Sequence, residues 1–139
     1  MSLTHLLDTS VYCQPIKKKP LPQVEKYWRT ISDQSACISV ICEAELLQGL
    51  EAKNSKKLWK AYESILKSRL VILPIDTKIA ETYAKLACTM NVKGKPRPVL
   101  DLLIAATAKT HGLIVATCNY SDFSCIEGLA VENWSKQAR

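Results

Sequence analysis

Short apolar runs recur along the chain, each bounded by polar or turn-forming residues. Runs of this length and composition predict β-strands. The first of them leads directly into Asp8, and the last precedes a polar tail. The predicted strands are His5–Leu7, Cys37–Ile41, Leu70–Leu73, Leu113–Thr117 and Leu129–Val131.

Between these runs, apolar positions recur at the spacing of a helix that buries one face. The predicted helices are Leu21–Ile31, Glu43–Ala52, Ser55–Ser68, a segment from Asp76 or Thr77 to about Met90, and Val99–Thr110. Strands that alternate with helices are typical of a parallel sheet. We therefore expect an α/β fold, a three-layer α/β/α arrangement with a central, mostly parallel sheet, as a single domain over residues 1–139.

The chain is basic, with 19 lysine and arginine residues against 13 aspartate and glutamate residues and a formal net charge of +6. This balance favours an anionic partner through electrostatic steering. Many basic proteins bind no nucleic acid, so charge by itself is a weak argument for a polyanionic substrate.

The six cysteines do not suggest a disulfide framework or a zinc site, because they lie mostly in apolar runs and share no CxxC spacing. We interpret them as reduced core thiols of a cytoplasmic protein. The N-terminus lacks a basic segment followed by an apolar one, and no apolar stretch reaches the roughly 20 residues that span a bilayer. We expect no membrane partner.

Acidic residues follow several of the predicted strands or open the helices beside them. They are Asp8, Glu43 and Glu45, Asp101 and Asp122. In an open parallel sheet, the carboxyl ends of the strands face the same crevice. Four separate segments can therefore bring carboxylates to one place.

Asp101 is the most informative of these acids, because its predicted helix is apolar nearly all round and a buried carboxylate is costly without a cation. No histidine or cysteine companions suggest zinc, so an all-oxygen site for Mg²⁺ or Mn²⁺ is indicated. Divalent ions on carboxylates suit phosphodiester hydrolysis. The basic balance of the chain agrees with a polyanionic substrate.

Three blocks of sequence resemble the consecutive signatures of VapC-type PIN domains over residues 6–123: LLDTSVY, ISVICEAELLQG and GKPRPVLDLLIAATAKTHGLIVATCNYSDF. Matched by position, the resemblance implies that Asp8, Glu45 and Asp101 are metal-binding, catalytic acids. The fourth acid falls in the turn after the last core strand. We favour Asp122 there, with Asn119 as the other candidate and a hydrogen-bonding neighbour.

Two positions depart from the family pattern. Cys42 stands where relatives commonly have threonine, which removes a good capping hydroxyl from the predicted helix start. Glu43 stands where an apolar residue is frequent. It is about 200° round a helix from Glu45, so we expect it to favour the helix N-terminus rather than to share a metal.

Possible substrate contacts are less well defined. Ser10, Thr9 and Thr117 either hydrogen-bond the metal site or a phosphate, or serve local turns or caps. The basic residues Lys95 and Arg97, with Lys93, precede Asp101 closely enough to line an RNA path, although such loops are often only solvated.

The resemblance implies a PIN-like fold and a metal-dependent endoribonuclease, the toxin of a toxin–antitoxin pair. It also implies a homodimer and a VapB-like antitoxin that binds beside the acids, through a helical hairpin of residues 43–68. One alternative is a PIN-like module that binds RNA or protein without cleavage. Another is a phosphoacceptor receiver domain, whose paired acids and late lysine find no match here.

Overall fold

The computed structural model describes residues 2–136, which form a parallel sheet of five strands surrounded by helices. The strands are β1 His5–Leu7, β2 Ala36–Ser39, β3 Val71–Leu73, β4 Ile114–Thr117 and β5 Val131–Asn133. The helices are α1 Thr9–Tyr12, α2 Pro22–Ile31, α3 Val40–Lys53, α4 Lys56–Ile65, α5 Thr77–Val92, α6 Val99–His111 and α7 Tyr120–Ser124. Short 3-10 turns lie at Gln14–Ile16 and Asp33–Ser35. This confirms the predicted α/β fold.

The strand order β3-β2-β1-β4-β5 reverses direction between β1 and β4. These two strands pair in register, His5 opposite Ile114 and Leu7 opposite Ala116. The connections from β1 and β4 leave toward opposite sides, so a crevice opens beyond their carboxyl ends. Residues that follow β1 and β4 therefore face a common space.

The hydrophobic core holds the two central strands in place. Leu6 and Leu7 of β1 and Val115 and Ala116 of β4 are fully buried. Helix α6 is buried from Ile104 to Ala108, whereas its first-turn residues Val99 and Leu100 are exposed. Asp101 thus lies where α6 passes from solvent into the core, and the prediction that this helix is buried all round is wrong for its first turn.

Within residues 2–136, no helix is both long enough and apolar enough to cross a membrane.

The second strand ends earlier than predicted. Val40 and Ile41 belong to α3, because the buried Ser39 hydroxyl accepts a hydrogen bond from the Ile41 amide at 3.0 Å and caps the helix there. An apolar run cannot by itself separate a buried strand from a helix that continues it. Cys42 therefore lies inside α3, and the predicted loss of a cap at that position is wrong.

Two short helices follow the central strands where the sequence predicted none. Helix α1 comes after β1, and α7 replaces most of the polar turn predicted at residues 118–122. Helices this short have too few residues to display a period. Strand β5 also lies two residues later than predicted, because it pairs with β4 through Thr117 and Asn133. The other predicted boundaries agree to within three residues.

All six cysteines are free thiols, but they are not all in the core. Cys37 and Cys42 are buried, whereas Cys88 and Cys125 are exposed. The interpretation of the cysteines as core residues is thus wrong for the last two.

The capping bond of Ser39 gives a stability prediction. Replacement of Ser39 by Ala leaves the Ile41 amide unpaired, and we expect a loss of about 1 kcal/mol in the free energy of unfolding. Urea denaturation followed by circular dichroism measures this loss. The control Ser124→Ala changes an exposed serine and should leave stability unaltered. Equal midpoints for the two variants would contradict the capping role.

Candidate active site

Asp8 lies at the carboxyl end of β1, at the crevice between the central strands, and is 6% exposed. Its backbone amide donates to the Ala116 carbonyl of β4 at 2.9 Å. Its own carbonyl accepts from the amides of Val11 and Tyr12, which begins α1. The main chain of Asp8 is therefore held by the sheet on one side and by a helical turn on the other.

The carboxylate of Asp8 is fixed by two hydroxyl groups. Ser10 Oγ and Thr117 Oγ1 both donate to Asp8 Oδ2 at 2.9 Å. The Ser10 oxygen accepts from the Cys118 amide, and the Thr117 oxygen accepts from the Asn119 amide, each at 2.9 Å. A hydroxyl group can donate only one hydrogen bond. Both hydroxyl groups donate to Asp8, so this network sets the orientation of its carboxylate.

Glu45 reaches the same crevice from α3. Thr9, the first residue of α1, donates its hydroxyl to Glu45 Oε1 at 2.8 Å. Cys42 lies one turn earlier on α3, and potential ligand atoms of Asp8, Cys42 and Glu45 all lie within 4.8 Å of one another. Cys42 is thus a part of the site that sequence reasoning missed, whereas Thr9, which the sequence analysis named with Ser10, bonds one of the acids. The spacing of three residues between Cys42 and Glu45, which places both on one helix face, was the available signal for Cys42.

Cys42 does not supply a thiolate to this cluster. Burial raises the pKa of its thiol far above the ordinary value, and the charge of Asp8 raises it further. A metal binds the thiolate rather than the thiol. The effective ligand atoms of the site are therefore carboxylate oxygens.

Asp101 joins the cluster from the first turn of α6. Burial raises the pKa of its carboxyl to about 6, and the charges of Asp122, Asp8 and Glu45 add to the effect in that order. Arg97 acts in the opposite direction. The structure thus brings together the four acids named from the sequence, close enough to repel one another.

Asp122 is oriented by Arg97. The guanidinium Nη2 atom of Arg97 lies 3.1 Å from Asp122 Oδ1 and 3.9 Å from Asp101 Oδ2. Asn119, the other candidate for the fourth position, precedes α7 and is exposed, and its backbone amide bonds Thr117. The position of Asp122 beside Asp101 supports Asp122 as the fourth acid.

The structure does not bring the other basic candidates to the acids. Lys95 is exposed in the loop between α5 and α6, and Lys93 pairs with Glu127 at 2.6 Å on the surface.

Glu43 lies near two tyrosines, Tyr12 and Tyr62, whose pKa values its charge affects. Burial raises the pKa of Tyr12 and of Tyr62, and the charge of Glu43 raises both further.

The fold and the pocket together define a class of protein. Carboxylates from four segments meet at the switch point of a parallel sheet, and the nearby His5 is directed elsewhere, since its Nε2 atom pairs with Glu132 at 2.9 Å. Such an all-oxygen cluster is suited to a hard divalent cation. The class is that of α/β enzymes with a carboxylate metal centre, which includes nucleases.

The chain belongs to the PIN domain family, which it matches over residues 5–127. It is similar to the tRNA(fMet)-specific endonuclease VapC of Salmonella typhimurium, with 32% identity over 132 residues that cover 95% of this chain and 98% of the relative. Toxin FitB of Neisseria gonorrhoeae is 32% identical over 135 residues, 93% of this chain and 97% of FitB.

A solved structure, FitAB bound to an IR36 DNA fragment, superposes with a TM-score of 0.87 at 30% identity, and covers 98% of this chain and 99% of the matched one. The resemblance predicted from the sequence blocks is confirmed. Nucleases of the PIN family generally depend on a divalent metal ion. The extent of the domain, residues 1–139, stays a prediction.

The raised pKa of Asp101 predicts a pH-dependent stability in metal-free protein. The folded carboxyl keeps its proton to about pH 6, whereas the unfolded one ionises near 3.8. The stability that this carboxyl contributes is full below pH 3.8 and is lost as the pH rises through 6. Asp101→Asn removes this titration. We therefore compare the melting temperatures of Asp101→Asn and the native chain in EDTA. The difference, variant minus native, should increase from about pH 4.5 to about pH 7.5.

Differential scanning calorimetry across this range measures the trend. Glu81→Gln is the matched control, because Glu81 is an exposed acid of α5, and its difference from the native chain should stay constant. A constant difference for Asp101→Asn as well would contradict the repulsion described here.

Proposed function

We propose that this chain is a metal-dependent endoribonuclease, the toxin component of a toxin–antitoxin pair. The observation that carries the proposal is the pocket in which Asp8, fixed by two hydroxyl groups, shares the crevice with Glu45, Asp101 and Asp122. The names of the relatives, an endonuclease that acts on a transfer RNA and a toxin, support the same function. Which RNA this chain cleaves is open.

Asp8, Glu45, Asp101 and Asp122 would hold the metal ion, and we propose Mg²⁺ or Mn²⁺. Two features support a hard cation here: the acids supply carboxylate oxygens, and burial raises the pKa of the neighbouring Cys42 thiol, which disfavours its thiolate. The raised pKa of Asp101 reflects repulsion that a cation relieves. A bound divalent ion lowers the pKa of an attacking water, orients the phosphate and neutralises the leaving oxygen.

The hydroxyl groups near the acids are best assigned to positioning. The hydroxyl groups of Ser10 and Thr117 already donate hydrogen bonds to Asp8, and the hydroxyl group of Thr9 donates one to Glu45. Partners of this kind orient metal ligands and tune their basicity. We therefore propose that Ser10 and Thr117 act through Asp8 instead of through direct contact with a phosphate. Lys95 and Asn119 remain proposed contacts of the RNA.

A PIN-like module that binds RNA or protein without cleavage is the alternative. Such a module gains nothing from four mutually repelling carboxylates, one of them only 6% exposed, because their desolvation and repulsion oppose folding. Membership in the PIN family excludes the receiver-domain alternative.

We propose a VapB-like antitoxin as the protein partner and the cytoplasm as the location. FitB is named a toxin, and its solved complex contains a second component, FitA. Helix α4 follows α3 after Asn54 and Ser55, and we propose that these two helices, within residues 43–68, carry the surface that the antitoxin binds. An antitoxin segment bound there can direct a cationic side chain into the acidic pocket.

The nuclease proposal predicts metal-dependent cleavage. Metal-stripped protein incubated with total cellular RNA should produce discrete cuts after addition of Mg²⁺ or Mn²⁺, and none in EDTA. The Asp8→Asn/Asp101→Asn double variant, purified identically, should produce none under any condition. Sequencing of RNA ends identifies the cuts and separates them from contaminating ribonuclease.

Helix α3 offers a matched pair for this assay. Glu45→Gln should lower the cleavage rate by roughly 100-fold or more, because even indirect partners of a metal ligand cost 10- to 100-fold when removed. Glu43→Gln removes the same charge two residues away and should cleave almost normally. RNA binding without cleavage, across several RNA sources and both metals, would favour the binding module.

We also propose a homodimer, supported by apolar side chains exposed around the loop between α5 and α6. Val92 is 82% exposed and Val99 is 56% exposed. Light scattering should give twice the 15.5 kDa mass of the chain, and Val92→Lys/Val99→Lys should give the monomer mass. Val71→Lys, at a residue 53% exposed on the edge strand β3, should leave the dimer intact. A monomeric native chain at all concentrations would contradict this assembly.

A further inference from the structure

Arg97 brings a positive charge to the pocket that holds Asp101 and Asp122. It belongs to the loop that enters α6, and its side chain is 24% exposed. Its Nη2 atom hydrogen-bonds Asp122 at 3.1 Å and lies 3.9 Å from Asp101. The contact with Asp101 is too long for a hydrogen bond and is a charge interaction. One guanidinium nitrogen thus serves two of the proposed metal ligands.

The guanidinium group of Arg97 leaves at least one hydrogen-bond donor unpaired in this arrangement. Its Nε atom is buried and has no hydrogen-bond partner within the described residues. An arginine held for structure alone commonly forms a two-pronged pair with a carboxylate. An unpaired buried donor is costly, so this position is less favourable for Arg97 than one in which the whole fork is engaged.

We propose that Arg97 is a built-in counter-cation that competes with the divalent metal for Asp101 and Asp122, and that the displaced guanidinium binds the RNA phosphate at the cleavage site. This inference rests on the proposed nuclease function. It gives Arg97 two successive partners, the acids in the metal-free protein and the substrate in the metal-bound protein.

Competition follows from charge and space. A divalent ion held by Asp101 and Asp122 would draw on the same carboxylates that Arg97 contacts. The two cations also repel each other across a partly buried pocket, where screening by water is reduced. Metal binding therefore weakens the hold of the acids on Arg97.

The local backbone limits where the released side chain can go. Pro96 and Pro98 flank Arg97 and fix their own φ angles, and Pro98 restricts the conformation of Arg97 itself. Movement is thus largely confined to the side chain, which stays at the mouth of the pocket. The planar fork of arginine matches two phosphate oxygens, and a phosphate would satisfy the donors left free here.

Metal binding by the purified protein tests the competition without any cleavage assay. Isothermal titration calorimetry measures the affinity for Mn²⁺ or Mg²⁺. We expect Arg97→Gln to bind the metal three- to tenfold more tightly than the native chain, because the variant removes roughly the repulsion of one screened positive charge. Arg97→Lys keeps the charge and should bind metal within about twofold of the native chain. Arg69→Gln removes an arginine paired with Asp33 and should not change metal affinity.

Cleavage at saturating metal tests the second partner. Arg97→Gln should cleave roughly 10- to 100-fold more slowly than the native chain, and Arg97→Lys should recover part of this loss. Tighter metal binding with slower cleavage is the distinguishing result, since a purely structural arginine would weaken both together.

Unchanged or weaker metal binding by Arg97→Gln would overturn the competition. Normal cleavage by that variant would overturn the phosphate contact. If metal binding tightens but the native chain cleaves no RNA, the nuclease proposal fails while the competition stands. The Nε–Hε resonance of Arg97 in the native protein provides a measurement independent of the variants: it should move with added Mg²⁺ and saturate with metal binding, and a stationary resonance would contradict displacement.

Discussion

Repulsion among four carboxylates in one crevice is the constraint on which the organisation of this protein depends. Each acid would be easier to keep ionised in water, and the raised pKa of Asp101 records the cost of placing them together. The fold offsets that cost in different ways at different positions. Asp8 accepts hydrogen bonds from two hydroxyl groups, and Glu45 accepts one. Asp122 accepts a hydrogen bond from the guanidinium of Arg97. For Asp101 the compensating charge of Arg97 is farther away, at 3.9 Å, and its pKa is raised to about 6.

The sheet topology explains why these supports are available. Reversal of strand order between β1 and β4 places the residues after both strands next to each other. Ser10, which follows β1, and Thr117, at the end of β4, can therefore both donate to one oxygen of Asp8. The proposed metal ligands and the hydroxyl groups that orient them are thus brought together by the same topological feature.

The sequence predicted the strand–helix alternation and the four acids because both depend on local pattern and on recognisable blocks. It did not predict that Val40 begins a helix, since an apolar run does not reveal which hydroxyl caps it. It missed Cys42 as a neighbour of the acids, and it named Thr9 without its partner Glu45, because both contacts form across the crevice. It placed Arg97 on an RNA path, whereas its contacts with Asp101 and Asp122 appear only in three dimensions.

The bond between Thr117 and Asp8 joins residues 109 positions apart. During synthesis, Asp8 therefore leaves the ribosome well before the partner that orients it, and Asp122 follows later still. The central strand pair and the cluster of acids can assemble only once both parts of the chain have been made.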